Sequence, residues 1–115
     1  MRLNHKEGAA AEDAALAFLQ GQGCKLVARN WHCPFGEIDL IVKNGNTILF
    51  VEVKYRKSSR FGGAAGSITP AKLAKLQRSA EHYLQQHRLN HAPCRLDAVL
   101  IEGGHKPEWV QKITG

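Results

Sequence analysis

Two acids and a lysine, Asp39, Glu52 and Lys54, stand in the stretch GEIDLIVKNGNTILFVEVK (residues 36–54), among Ile, Leu, Phe and Val residues of the kind that fill strand interiors. Charges are costly in such places unless they pair with one another or hold an ion. Paired carboxylates are hard oxygen donors suited to Mg²⁺ or Mn²⁺, and a lysine beside them can neutralise charge on a phosphate. The chemistry this set could carry is therefore metal-assisted hydrolysis of a phosphodiester. A closed ion-pair network is the inert alternative.

Convergence of the three depends on the strands that carry them. Asn44-Gly45 separates two β-rich runs and predicts a two-residue type I′ hairpin loop, which pairs Lys43 with Asn46. Paired residue numbers then sum to 89. Asp39 falls opposite Phe50, and Asp39 and Glu52 become diagonal neighbours, roughly 7–8 Å apart at Cα. Period-two alternation sets Asp39, Ile41, Ile48, Phe50, Glu52 and Lys54 on one face and Leu40, Val42, Leu49, Val51 and Val53 on the other. A slip of one residue would separate Asp39 from the other two. Both faces are apolar, so helices are expected on both sides of the sheet.

The flanking chain supplies such helices. Residues 5–20 read as an Ala-rich helix closed by Gly21-Gln22-Gly23, with Gly8, Ala9, Glu12, Ala15, Leu16 and Leu19 on one stripe. On local grounds Glu12 is an acid favoured by the helix dipole at the edge of that stripe. Residues 24–28 are expected to form a first strand, with 32–36 as a loop. Thr69-Pro70 is a helix start, as cap and first helical residue, and that helix runs to about His87. Lys72 lies in its first turn, where a cation opposes the dipole: either it snorkels to solvent, or something other than helix stability keeps it there. Strands follow at 94–101 and 109–113. The order αβββαββ predicts an α/β fold with a mixed central sheet flanked by helices, as one domain over residues 1–115. Asp97 reads as structural, or paired with Arg95.

Sixteen Lys and Arg against ten Asp and Glu give a net charge of +6, which favours polyanionic partners. Residues 55–66 concentrate cations, aromatics and glycines. Arg56, Lys57 and Arg60 are candidates for phosphate contact there; the competing reading is a solvated linker with Phe61 packed inward. Cys24, Cys33 and Cys94 lack C-x-x-C spacing and are expected as reduced, half-buried thiols. The six histidines form no ligand set and are expected at the surface. Neither a signal-peptide core nor a membrane-spanning run is present, so a cytoplasmic location without membrane association is expected.

An acid on one strand followed by acid-x-lysine on the next, Asp39 and Glu52-Val53-Lys54, resembles the motif of the PD-(D/E)XK nuclease superfamily. Around it, Gly8-x-x-Ala11-Glu12-x-x-Ala15, Arg29-Asn30-Trp31, Gly36-Glu-Ile-Asp-Leu-Ile, Phe50-Val-Glu-Val-Lys-Tyr-Arg, Phe61-Gly, Lys72, Ala80…Tyr83-Leu84 and Arg95-Leu-Asp-Ala-Val are similar, in order and spacing, to the bacterial YraN family of small nuclease-like proteins. That resemblance covers nearly the whole chain. It implies a restriction-endonuclease-like fold related to archaeal Holliday-junction resolvases, with nucleic acid, above all DNA, as partner. It further implies Asp39, Glu52 and the Val53 carbonyl as ligands of Mg²⁺ or Mn²⁺, Lys54 as the residue that positions or activates water, and Glu12 and Lys72 as completions of the site. Homodimer formation is expected by analogy with resolvases of this fold. Ala11, where the family more often has Gly, and Leu96, where Phe is usual, depart from the pattern.

Two functions stand open on these grounds. One is a metal-dependent endonuclease acting on DNA, including branched or structured DNA. The other is a non-catalytic nucleic-acid-binding module that keeps the nuclease fold.

Overall fold

In the computed structural model, which describes residues 5–56, 68–103 and 105–113, the elements are α1 (His5–Gly21), β1 (Lys25–Cys33), β2 (Gly36–Asn44), β3 (Thr47–Arg56), α2 (Pro70–Gln86), β4 (Cys94–Glu102) and β5 (Glu108–Val110). The five strands form one sheet in the order β1-β2-β3-β4-β5, antiparallel except for the parallel pair β3 and β4. A parallel pair needs a crossover, and α2 supplies it. The predicted order αβββαββ is the observed one.

Each face of the sheet has its own core. Ile41, Ile48 and Phe50 pack with Leu76, Ala80, Tyr83 and Leu84 of α2. Leu40, Val42, Leu49 and Val51 pack with Ala15 and Leu19 of α1. Alternation along β2 and β3 thus divides the apolar residues as the sequence predicts. It breaks at one point. Ile38 and Ile41, three apart, both join the α2-side core, so β2 changes face around Asp39.

The helix ends follow local chemistry. At the start of α2, Thr69 Oγ1 accepts the Lys72 N–H at 3.2 Å, and Pro70 follows at the first helical position. After α1, Gly23 takes φ +96° while the Cys24 N–H donates to Leu19 O at 3.0 Å and the Gly23 N–H to Gln20 O at 3.1 Å. That is a Schellman cap with glycine in its left-handed position. The same pair of bonds closes α2 from Leu89 to Leu84 and from Arg88 to Gln85, with Arg88 at φ +56°.

Three expectations are corrected. The hairpin pairs Asn44 with Thr47 and Lys43 with Ile48, so partner numbers sum to 91 and the loop residues are Gly45 and Asn46. Gly45 carries a positive φ of +61° and Asn46 does not, the signature of a type II′ turn in place of type I′. The first strand extends to Cys33 and turns back at Pro34-Phe35, pairing Cys33 with Gly36, so the predicted loop over 32–36 is mostly strand. The cysteines are not alike: Cys24 is buried, Cys33 half-buried and Cys94 exposed.

Asp97, by contrast, meets its expectation and goes beyond it. It is fully buried on β4, takes Arg95 Nε and Nη2 at 2.8 and 2.9 Å, and also accepts from Trp109 Nε1 and the Lys112 N–H. One carboxylate thus ties β5 and the chain beyond it to β4.

Candidate metal and phosphate site

Asp39 owes its position to the break in β2. Leu40 pairs with Val51 at the last step of the ladder; beyond it the backbone pairing stops, and the Asp39 and Glu52 carboxyls come within hydrogen-bonding reach of each other. The Val53 N–H donates to Asp39 Oδ2 at 2.8 Å. A side-chain carboxylate therefore stands where a ladder carbonyl would have been, in the plane of the sheet. The slip from 89 to 91 is even, so it keeps the face assignment along the ladder, and where the ladder ends the two carboxyls meet side chain to side chain.

Crowding two acids in a half-buried place has an electrostatic consequence. Burial, then the hydrogen bond and charge of Glu52, push the Asp39 carboxyl up to about 8; the Val53 N–H and the Lys54 charge pull the other way without prevailing. Asp39 therefore keeps its proton at neutral pH. Lys72 approaches from α2 to within hydrogen-bonding reach of Lys54, whose charge holds Lys72 below the ordinary lysine range, while Glu52 opposes that shift. A neutral Asp39 beside two lysines makes a setting that attracts an anion.

The structure thus brings Asp39, Glu52, Lys54 and Lys72 together, with Val53 contributing its N–H. Glu12 on α1 has other hydrogen-bond partners. Its Oε1 accepts from Arg29 Nη2 at 3.4 Å and Asn30 Nδ2 at 3.2 Å, and Arg29 also binds Asp13 at 2.9 Å. Asn30 lies between the Arg29–Leu40 and Trp31–Ile38 pairs, at the level of Asp39, so these partners hold Glu12 against β1 beside the strand position that carries Asp39. Sequence reasoning missed this role of Arg29 and Asn30. No local pattern signals it, because 17 and 18 residues separate them from Glu12. Arg56 is exposed at the end of β3 and donates to its neighbour's carbonyl, Tyr55 O, at 3.0 Å. Lys57, Arg60 and Phe61 lie outside the described residues.

Whether these residues suit a divalent cation can be judged from the donor set. Asp39 and Glu52 present hard oxygens within hydrogen-bonding reach of each other, and a divalent cation relieves the repulsion between them. Mg²⁺ is commonly bound by one or two carboxylates, completed by water and substrate phosphate. The pair fits that pattern. Among the described residues no group of three or more His, Cys, Asp or Glu gathers as a metal cage.

Residues 11–101 match the profile described as "Uncharacterised protein family UPF0102". The chain belongs to the UPF0102 family. This is the family to which the YraN resemblance pointed. A UPF0102 protein of Neisseria gonorrhoeae is 76% identical over 115 residues, covering 100% of both chains, and one of Nitrosomonas eutropha is 50% identical over 111 residues, covering 96% of this chain and 95% of its own. Among solved structures, Hjc of Archaeoglobus fulgidus, a Holliday junction resolvase from an archaeal hyperthermophile, superposes with a TM-score of 0.61 at 22% identity, covering 87% of this chain and 72% of that one. The UPF0102 chain described here therefore has a restriction-endonuclease-like fold. No helix among its described residues is long and apolar enough to cross a membrane.

Proposed function

We propose that this protein is a Mg²⁺- or Mn²⁺-dependent endonuclease that hydrolyses phosphodiester bonds in DNA, including branched or structured DNA. The observation that carries the reading is the meeting of the Asp39 and Glu52 carboxyls where the β2–β3 ladder ends, with Lys54 and Lys72 meeting beside them. Asp39 and Glu52, with the Val53 carbonyl, would hold the cation. When bound, that ion supplies Lewis-acid polarisation of the phosphate and lowers the pKa of water. Lys54 orients the attacking water and offsets charge gathering on the phosphate, while Lys72, held close to Lys54, steadies the same anion from α2. Glu12, held by Arg29 and Asn30 at the level of Asp39, completes the site from α1. Arg56, Lys57 and Arg60 contact flanking phosphates. The resolvase-like fold and the net charge of +6 support nucleic acid as the substrate class. Action as one domain over residues 1–115, as a homodimer and in the cytoplasm completes the proposal.

One observation favours a second reading, a binding module without catalysis: Glu12, the third acid, is engaged by Arg29 and Asn30. Incubation of branched, single-stranded and duplex DNA with Mg²⁺ or Mn²⁺ distinguishes the two. The wild type should cut at least one substrate, and Asp39→Ala and Lys54→Ala should not. Cleavage that survives both substitutions overturns the nuclease reading, and metal-independent affinity without cleavage establishes the binding module.

A further inference from the structure

Lys72 opens a row on α2. Lys75, Arg78 and His82 follow it at steps of three, three and four, so the four side chains share one flank of the helix. Lys72, Lys75 and Arg78 are exposed. The row spans about 15 Å at the helical rise per residue. At its far end the His82 ring meets Phe35 in a T-shaped contact, centroids 5.6 Å apart, and lies 6.0 Å from Trp31.

Phe35 sits in the turn between β1 and β2 and is 43% exposed, one of few large apolar side chains so placed. The turn lies at the end of the sheet that holds the carboxylates, because β2 runs antiparallel to β3 and begins at Gly36, three residues before Asp39, on the side toward which β3 runs after Glu52. Helix α2 passes close over it: a methyl group at Gly36 would meet Ser79 Oγ at 3.4 Å. Carboxylate site, cationic flank and aromatic turn thus form one continuous rim. Glu37, beside the turn, is half-buried and paired with His32 Nε2 at 3.2 Å. Glu81 follows Arg78 by three residues and borders the row at its margin, half a turn round the helix from Lys72.

We infer that this rim is a track for a nucleic-acid strand with unpaired bases: Lys72, Lys75 and Arg78 take successive phosphates leading away from the carboxylate site, and a base stacks on Phe35 beside His82. The inference rests on the nuclease reading and narrows its substrate. An aromatic ring can receive a base only where that base has left the helical stack, so single strands, flaps and junction arms fit and uninterrupted duplex does not. Phosphate contacts hold the strand in place; the ring selects its unpaired state.

The test is equilibrium binding of an oligonucleotide carrying 2-aminopurine, measured as single strand, as branched junction and as continuous duplex, in EDTA and in Ca²⁺, over a range of salt. Phe35→Ala and Phe35→Leu should each weaken single-strand binding about tenfold, abolish the quenching of the 2-aminopurine that marks stacking, and leave both salt slope and duplex affinity unchanged. Phe35→Trp should restore binding and quenching. Lys75→Ala combined with Arg78→Ala should reduce the single-strand salt slope by about 1.4. Wild-type affinity and quenching in Phe35→Ala, or an equal loss on duplex, overturns the stacking role while leaving cleavage untouched. Full quenching in a wild type that cuts nothing refutes the nuclease reading and retains the track. A wild type that binds none of the three forms overturns both.

Discussion

The Val53 N–H donates to Asp39 Oδ2 at 2.8 Å, so a side chain replaces a backbone carbonyl where the β2–β3 ladder ends. This bond pins one carboxylate at the strand edge opposite Glu52. It also separates two roles that the motif alone runs together: Asp39 is held by the backbone of the strand that carries Glu52 and Lys54, whereas Lys54 is met by Lys72 from a different layer.

Calorimetric titration with Mn²⁺ should resolve those roles. Asp39→Ala removes a ligand and should abolish binding. Lys54→Ala should retain binding yet lower turnover by about 100-fold, the scale on which loss of one preorganised charge-stabilising group is felt. Equal loss of Mn²⁺ affinity in both variants would refute the division.

Stability of the metal-free protein should fall with rising pH. The folded Asp39 carboxyl releases its proton only at about 8, against 3.8 for an unperturbed aspartate. Between those values the unfolded chain binds fewer protons than the folded one, so stability declines through that window, by on the order of a few kcal/mol. Thermal melts in EDTA should place Asp39→Asn above wild type at pH 8 and level with it near pH 4. Mn²⁺ at pH 8 should raise the wild-type Tm and leave the variant unmoved.

Asp97→Ala should be among the most destabilising single changes. It strips partners from Arg95, Trp109 Nε1 and the Lys112 N–H together. Breaking one side of a buried, hydrogen-bonded pair typically costs about 3–5 kcal/mol. Urea unfolding monitored by Trp109 fluorescence measures it, and a loss under about 1 kcal/mol would show the network to be dispensable.

Arg88→Gly should stabilise. Arg88 ends α2 at φ +56° in the position a Schellman cap reserves for glycine. A non-glycine residue in that region costs about 1–2 kcal/mol, partly offset by the entropy glycine adds to the unfolded chain. A Tm raised by a few degrees is expected, and an unchanged or lowered Tm contradicts the cap assignment.

The hairpin shows where sequence reading stopped. Asn44, Gly45 and Asn46 offer two two-residue loops, Asn-Gly as type I′ and Gly-Asn as type II′, and both suit the right-handed twist of the strands. The choice moved the register by two residues. Because the slip was even, the face assignment of the apolar residues along the ladder survived it, while the residue meeting Asp39 from β3 changed from Phe50 to Glu52. Glu12 is the complementary case. The resemblance assigns it to the metal site, yet its observed partners are Arg29 and Asn30, which only the packing of α1 against β1 brings near.

Sequence alone determined the element order, the two apolar faces, the Thr69 cap and the family, since each is written in local periodicity, cap chemistry or residue-by-residue similarity. Tertiary structure alone decided that Asp39 faces Glu52, that Lys72 reaches Lys54 from α2, and that Phe35 and His82 meet at the same end of the sheet. Those relations join residues distant in the chain through register and helix placement, and side-chain periodicity carries no information about either.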